Sequence, residues 1–252
     1  MPDYSNLKGV VLCGGKGTRL RPLTYYFQKV MIPIGHSQKP LLEYIIRLMT
    51  NNGIKEIMLL VSYKAEQISN YFGDGSRFGV KIDYIKDKPG VQGTASALSN
   101  DDLKNKISNE DRILLYYGDI LTDIDISSMY KEHMAKDAIA TLAVSKKYQV
   151  RVGIAKIENE RITGLQEKPT LDLPVTIGVL IMNGEVLNSI DSLMEKKQNL
   201  DVMGDLIPHL IGEGNNVQAY SHDSFWYDVG STERYEKLDY DQVEKYLGKI
   251  IS

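Results

Sequence analysis

Gly9-Val10-Val11-Leu12-Cys13 runs straight into Gly14-Gly15-Lys16-Gly17-Thr18-Arg19-Leu20, and this stretch decides the fold. A short apolar run bounded by glycine reads as a strand buried on both faces. The loop that follows carries few side chains, so its backbone N–H groups can close on phosphate oxygens while Lys16 and Arg19 supply charge. It has neither the glycine spacing of a dinucleotide fingerprint nor the terminal Gly-Lys-Ser/Thr of a P-loop. Glycine clusters also serve as plain turns between strand and helix, and the loop alone does not separate the two readings.

Outward from this stretch, apolar runs recur at Ile57 to Val61 and Ile113 to Tyr117. Between the first run and Ile57, Leu41, Leu42, Ile45, Ile46, Leu48 and Met49 form a stripe at helical spacing, stopped by Asn51-Asn52-Gly53. Lys64 to Phe72 reads as a second helix, ended by Gly73-Asp74-Gly75 before the alternating strand Val80, Ile82, Tyr84. Strands alternating with helices predict an α/β fold with a mostly parallel central sheet. Gly153 to Ile157 and Arg161 to Leu165 alternate around Glu158-Asn159-Glu160 as a hairpin does, which predicts a mixed sheet. Thr232 to Leu247 is polar with a helical pattern, and no proline- or serine-rich linker divides the chain, so one domain over residues 1–252 is expected.

The 252 residues suffice for a substantial core, and a net charge of −3 lacks the basic footprint of a nucleic-acid-binding protein. The single cysteine, Cys13, has no partner for a disulfide or a thiolate metal site, which fits a reducing, cytoplasmic setting. No apolar run approaches the ~18 residues of a membrane span. Met1 to Lys8 is polar, without a signal-peptide pattern.

Several side chains could carry chemistry. Asp119 follows Ile113 to Gly118, which puts it at the carboxyl end of a central strand, on the edge where open α/β sheets hold ligands. It can hold Mg²⁺, or it can be a turn or cap residue. Asp228, in Phe225-Trp226-Tyr227-Asp228-Val229-Gly230, offers a second carboxylate with the same two readings. Asp123 and Asp125 read as turn and cap residues before a helix beginning near Ser127. Gln92-Gly93-Thr94-Ala95 opens a helix whose first N–H groups are expected to be free for a ligand, with Gln92 able to read a base edge; capping by Thr94 is compatible with this. Pro169 biases Lys168, in Glu167-Lys168-Pro169, toward an extended conformation. A lone loop lysine such as Lys29 reads as solvated. His36, His133, His209 and His222 show no metal-ligand spacing.

Taken in order, GGKGTRLRPLT, Lys29, QGTASAL, YGD, EKP and WYDVG resemble the nucleotidylyltransferases that act on sugar 1-phosphates, and the resemblance spans nearly the whole chain. It implies a Rossmann-like three-layer α/β fold and a Mg²⁺-dependent reaction joining a nucleoside triphosphate to a sugar 1-phosphate with release of pyrophosphate. Residue by residue, it implies that Leu12, Gly14, Gly15, Gly17, Thr18 and Gly118 wrap the nucleotide, with Gln92, Gly93 and Thr94 at base and ribose. Gly153, Glu167, Lys168 and Gly178 would line the sugar phosphate pocket, Asp119 and Asp228 would bind Mg²⁺, and Arg19, Lys29 and Lys168 would offset phosphate charge.

The chain departs from the family pattern in places. Gln28 and Val30 flank Lys29 where many relatives have prolines, which predicts a looser loop, and Thr176 stands where many have asparagine. A C-terminal β-helix or acyltransferase domain like that of longer relatives is not expected after the last helix. The Gln-Gly-Thr element favours uracil or thymine, and glucose 1-phosphate is the default expectation for the sugar. Tyr63 to Ile68 and Tyr71 to Gly79 resemble members that guanylylate mannose or heptose phosphates. A non-catalytic nucleotide-sugar sensor is the alternative outside enzymology. No nucleic-acid or membrane partner is expected, and assembly as a homo-oligomer is left open.

Overall fold

A computed structural model describes residues 4, 6–88, 90, 92–150 and 152–251, so part of the polar start lies outside the described residues. The chain runs from β1 (Leu7–Leu12) through a two-residue ladder, β2 (Pro33–Ile34) and β3 (Lys39–Pro40), to α1 (Leu41–Asn51). There follow β4 (Glu56–Val61), α2 (Ala65–Phe72), β5 (Lys81–Lys86), α3 (Thr94–Leu98), α4 (Asp101–Lys104), β6 (Arg112–Tyr117) and β7 (Ile120–Thr122). The second half holds α5 (Ile126–Ala135), β8 (Ala140–Gln149), β9 (Ile154–Glu158), β10 (Arg161–Gln166), β11 (Thr170–Asn183), α6 (Val186–Met194) and α7 (Ile207–Gly212). It closes with β12 (Val217–Ser221), β13 (Trp226–Asp228), α8 (Thr232–Glu236) and α9 (Tyr240–Ile251).

The central sheet has the order β12-β8-β11-β6-β1-β4-β5. Only β11 runs against its neighbours; β5, β4, β1 and β6 are mutually parallel, and β12 is parallel to β8. The sheet is therefore mixed, but through β11 and not through the predicted hairpin. That hairpin forms as β9 and β10 in a separate ladder with an exposed surface, because its alternating residues have no helix to pack on. The tail is two helices, α8 and α9, where the pattern predicts one continuous stretch.

The apolar runs behave as strands buried on both faces. Successive residues of a strand point to opposite faces. Accordingly Val11, Leu59 and Leu114 join one core with Ile45, Ile126, Val243 and Leu247, while Val10, Leu60 and Leu115 join another with Leu98, Leu187, Ile190 and Leu210. The result is three layers, helix on sheet on helix. At the N-terminus of α5, Asp125 accepts from the Ser128 N–H at 2.9 Å, the predicted cap. Among the described residues no helix is long and apolar enough to cross a membrane.

Candidate active site

The four parallel strands β5, β4, β1 and β6 end side by side, and the segments that leave them meet at one cleft of about 670 Å³. Gly14, Gly15 and Lys16 follow β1, Ser62 follows β4, Asp87 follows β5, and Gly118 and Asp119 follow β6; Leu12, Lys29, Gln92, Gly93, Thr94 and Asp201 are also in the lining. This is the carboxyl edge at which open α/β sheets bind ligands. Gly118 is required by close approach: a Cβ there would lie 2.6 Å from the Leu12 carbonyl oxygen and 2.8 Å from Val30. Gly17, at φ +59°, starts a 3₁₀ turn over Thr18–Leu20 and packs against Lys29, whose Cβ a side chain at Gly17 would meet at 3.1 Å. Thr18 and Arg19 are exposed and lie outside the cleft lining.

The loop carrying Lys29 is braced, which corrects the expectation of looseness. Gln28 is fully buried: its side-chain amide donates to the Cys13 carbonyl, its Oε1 accepts from the Val30 N–H at 2.6 Å, and its own N–H donates to Gln67 Oε1 at 2.6 Å. Hydrogen bonds to β1 and α2 thus do the work of a proline ring, and a 3₁₀ turn over Lys29–Met31 holds the lysine at the cleft. Its ammonium pairs with Asp119 Oδ2, both side chains being largely shielded from water.

A second correction concerns α3. Its N-cap is Gly93, not Thr94, and its first N–H groups are taken: Thr94 donates to Asp201 Oδ1 at 3.2 Å, while Ala95 and Ser96 donate to the Leu200 carbonyl at 2.8 and 3.1 Å. Thr94 Oγ1 accepts from the Val202 N–H at 2.8 Å. Gly93, at φ +97°, allows this contact, since a Cβ would lie 2.3 Å from Leu200 O. Asp201, which sequence reasoning did not single out, therefore reaches the cleft from the start of a π-helical turn over Val202–Leu206.

Lys168 and Asp228 line a neighbouring cavity of about 420 Å³, with Lys147, Tyr148, Trp226, Tyr227 and Arg234. Lys168 is left-handed at φ +45°, not extended, in the three-residue connection between β10 and β11; its ammonium lies 3.5 Å from Glu167. Gly153 meets Glu167, whose Oε2 a Cβ would approach to 3.1 Å. Gly178, at φ +75°, packs on Tyr117 and Ile120 where the β11 register shifts, and Thr176 beside it is exposed.

The two aspartates are close in the backbone. Asp228 pairs with Ile120 across the β7–β13 ladder, and the Val229 N–H donates to the Asp119 carbonyl at 2.8 Å. Each carboxylate is held by a cation, Asp119 by Lys29 and Asp228 by Arg234, yet Asp228 Oδ1 is buried without a hydrogen-bond partner. Thr232 Oγ1 donates to the Arg19 and Arg21 carbonyls at 3.2 and 3.1 Å, tying the segment after Asp228 to the glycine loop.

The buried histidines His133 and His222 lie outside the lining of both cavities. His133 is buried between Thr141 and Asn183, and burial lowers its pKa. His222 lies 3.2 Å from Asp123, which also accepts from Ser224 and the Phe225 N–H. Cys13 is buried, and burial, then Asp87 and Asp119, push its thiol up, so it stays protonated. Among the described residues no three His, Cys, Asp or Glu side chains gather around a metal position.

The nucleotidyl transferase family matches residues 8–245. The chain belongs to that family. It is 35% identical to the UTP--glucose-1-phosphate uridylyltransferase of Synechocystis sp., over 91% of this chain and 61% of the relative. It is 30% identical to the mannose-1-phosphate guanylyltransferase of Mycobacterium tuberculosis, over 93% of this chain and 64% of the relative. The chain thus spans about three fifths of the length of these curated relatives. The fold matches the crystal structure of HddC from Yersinia pseudotuberculosis complexed with GMP-PN, with a TM-score of 0.69 at 20% identity over 91% of this chain and 96% of that one.

Proposed function

We propose that this nucleotidyl transferase joins a nucleoside triphosphate to a hexose 1-phosphate, releasing pyrophosphate. One observation carries the reading: a single cleft at the carboxyl ends of four parallel strands unites the glycine loop, Lys29, Asp119 and the Gln92–Thr94 segment. A phosphate oxygen of the sugar attacks the α-phosphorus in line with departing pyrophosphate, so the protein needs positioning and charge compensation and no covalent nucleophile. The protonated, buried Cys13 is consistent with that.

Each group then has a task. Gly14, Gly15 and Gly17 let the backbone close on the triphosphate, and Lys29 and Arg19 offset its charge. The neighbouring cavity takes the sugar phosphate, with Lys168 against the attacking group; Gly153, Glu167 and Gly178 lie outside its lining. Asp119 and Asp228 are the carboxylates to hold Mg²⁺, and the unpartnered Asp228 Oδ1 is a hard oxygen suited to it. The bound ion would offset the charge of the two anions as they meet.

The relatives set the substrates to compare: UTP, dTTP and GTP against glucose and mannose 1-phosphates. Pyrophosphate is measured for each pair with and without Mg²⁺. Release that needs both substrates and the ion supports the reading; nucleotide-sugar binding with no release under any pair replaces it with the non-catalytic sensor.

A further inference from the structure

One carboxylate in the proposed nucleotide cleft, that of Asp87, has no part in the proposed reaction. Asp87 leaves the end of β5 with its backbone fixed, since its N–H donates to the Val61 carbonyl at 3.0 Å. Its Oδ1 is buried without a hydrogen-bond partner, and its Oδ2 hangs over the glycine loop, 2.5 Å from where a Cβ on Gly14 would stand. No ammonium or guanidinium pairs with it among the described residues. A carboxylate sheltered from water without a donor is a cost that a bound N–H or O–H group would relieve.

Its place in the sheet says which part of a nucleotide it meets. Asp119 leaves β6 and Asp87 leaves β5, three strands apart in the order β6-β1-β4-β5, about 14 Å at ordinary strand spacing. Lys29 stands at the Asp119 end, where the phosphates go on the proposed reading. A carboxylate beside phosphates would repel them, so the Asp87 end suits the uncharged end of the nucleotide. Base edges differ in what they offer two acceptor oxygens. Uracil and thymine present one N–H flanked by two carbonyls, and adenine and cytosine present one amino group beside an acceptor nitrogen. Guanine presents ring N1–H and amino N2–H₂ side by side, the one edge that satisfies both oxygens. The exposed Gln92 does not decide between them, because its amide can donate to a guanine or a uracil carbonyl alike.

We infer that Asp87 reads the base and that the nucleotide is a guanosine phosphate. The assignment rests on the proposed reading of the cleft as a nucleotide site, and it reverses the pyrimidine preference expected from Gln92.

The test is equilibrium binding of GTP, ITP, dGTP and UTP to the full chain and to Asp87→Asn, with pyrophosphate release measured in parallel. ITP lacks only the amino group at C2, and a hydrogen bond to a charged acceptor corresponds to about tenfold or more in affinity. GTP should bind the parent at least about tenfold more tightly than ITP or UTP, and Asp87→Asn should abolish that margin while leaving ITP within about threefold. Equal binding of GTP and ITP by the parent overturns the inference, as does tighter binding of UTP, whether or not the variant folds. A loss in Asp87→Asn shared by GTP and ITP but absent with dGTP also overturns it, placing the carboxylate on the ribose. A GTP margin in binding supports the inference even where no sugar phosphate yields pyrophosphate, a result that overturns catalysis instead; release from UTP alone overturns the base and keeps the enzyme.

Discussion

Replacing Lys29 by alanine removes one charge from the end of the cleft proposed to hold the phosphates and strands Asp119. The Lys29 and Asp119 side chains keep only 15% and 21% of their exposure, so water screens the pair poorly. At about 4 Å and an effective dielectric constant of about 20, one such pair interacts by about 4 kcal/mol before desolvation is subtracted. Loss of one preorganised charge-stabilising group typically lowers turnover about 10²- to 10³-fold, or about 3–4 kcal/mol of barrier. The stability cost is smaller, about 1–2 kcal/mol, because the freed carboxylate is partly wet and can take up water or a counterion. At this chain length that corresponds to a fall in Tm of about 2–8 °C. The assay is pyrophosphate release at saturating substrates and Mg²⁺, alongside thermal unfolding, for Lys29→Ala, Lys29→Met and the double variant with Asp119→Ala. Turnover within threefold of the parent would refute the role of Lys29, and a loss tracking the unfolded fraction would reduce it to a structural pair.

Three further perturbations follow from the geometry. Gln28→Ala leaves the Val30 and Cys13 backbone groups unpaired in a buried site, costing about 2–4 kcal/mol in urea unfolding, and should lower turnover because Lys29 loses its brace. Gly93→Ala forces a side chain into the Leu200 backbone at a positive φ, so stability should drop by about 2 kcal/mol or more and nucleotide affinity should fall with it. The His222–Asp123 contact sets a pH window. Burial opposes the charge on His222, but the Asp123 carboxylate and the Phe225 carbonyl outweigh it and raise the imidazole above 6.5, so its contribution is full below 6.5 and lost as pH climbs through the raised value. Asp123 is also penalised by burial, yet His222 and Ser224 hold it below 3.8, so its contribution is present above 3.8 and lost on acidification through the lowered value. Urea midpoints should therefore decline as the pH rises above 6.5 in the parent, and this dependence should flatten in His222→Asn.

How much of this was legible in the sequence follows from how local each cause is. The strands around Val10, Leu59 and Leu114 were readable because a run apolar on both faces has few other uses, and the Asp125 cap because its partner Ser128 is three residues away. The glycine loop, Lys29 and Asp119 could be assembled only through ordered motifs, and the fold then supplied the cleft they share. What stayed hidden comes from distant chain. The α3 N–H groups are satisfied by Leu200 and Asp201, about a hundred positions on, and no local pattern announces that. Gln28 looked like the loss of a rigid residue because only tertiary structure shows its side-chain amide meeting Cys13 just past β1 and its backbone N–H meeting Gln67 on α2. Lys168 takes a left-handed backbone in the short connection from β10 to β11 against the bias imposed by Pro169. Asp87, unremarkable in sequence beside Lys86 and Lys88, matters only because β5 ends where the cleft does.

The most direct measurement follows two radiolabels in the triphosphate, one at the α-phosphorus and one at the γ-phosphorus, during turnover with a hexose 1-phosphate. In-line transfer predicts the α label in a nucleotide sugar and the γ label in pyrophosphate, both appearing only when the sugar phosphate is present. Label released as inorganic phosphate, or pyrophosphate formed without any nucleotide sugar, would contradict it.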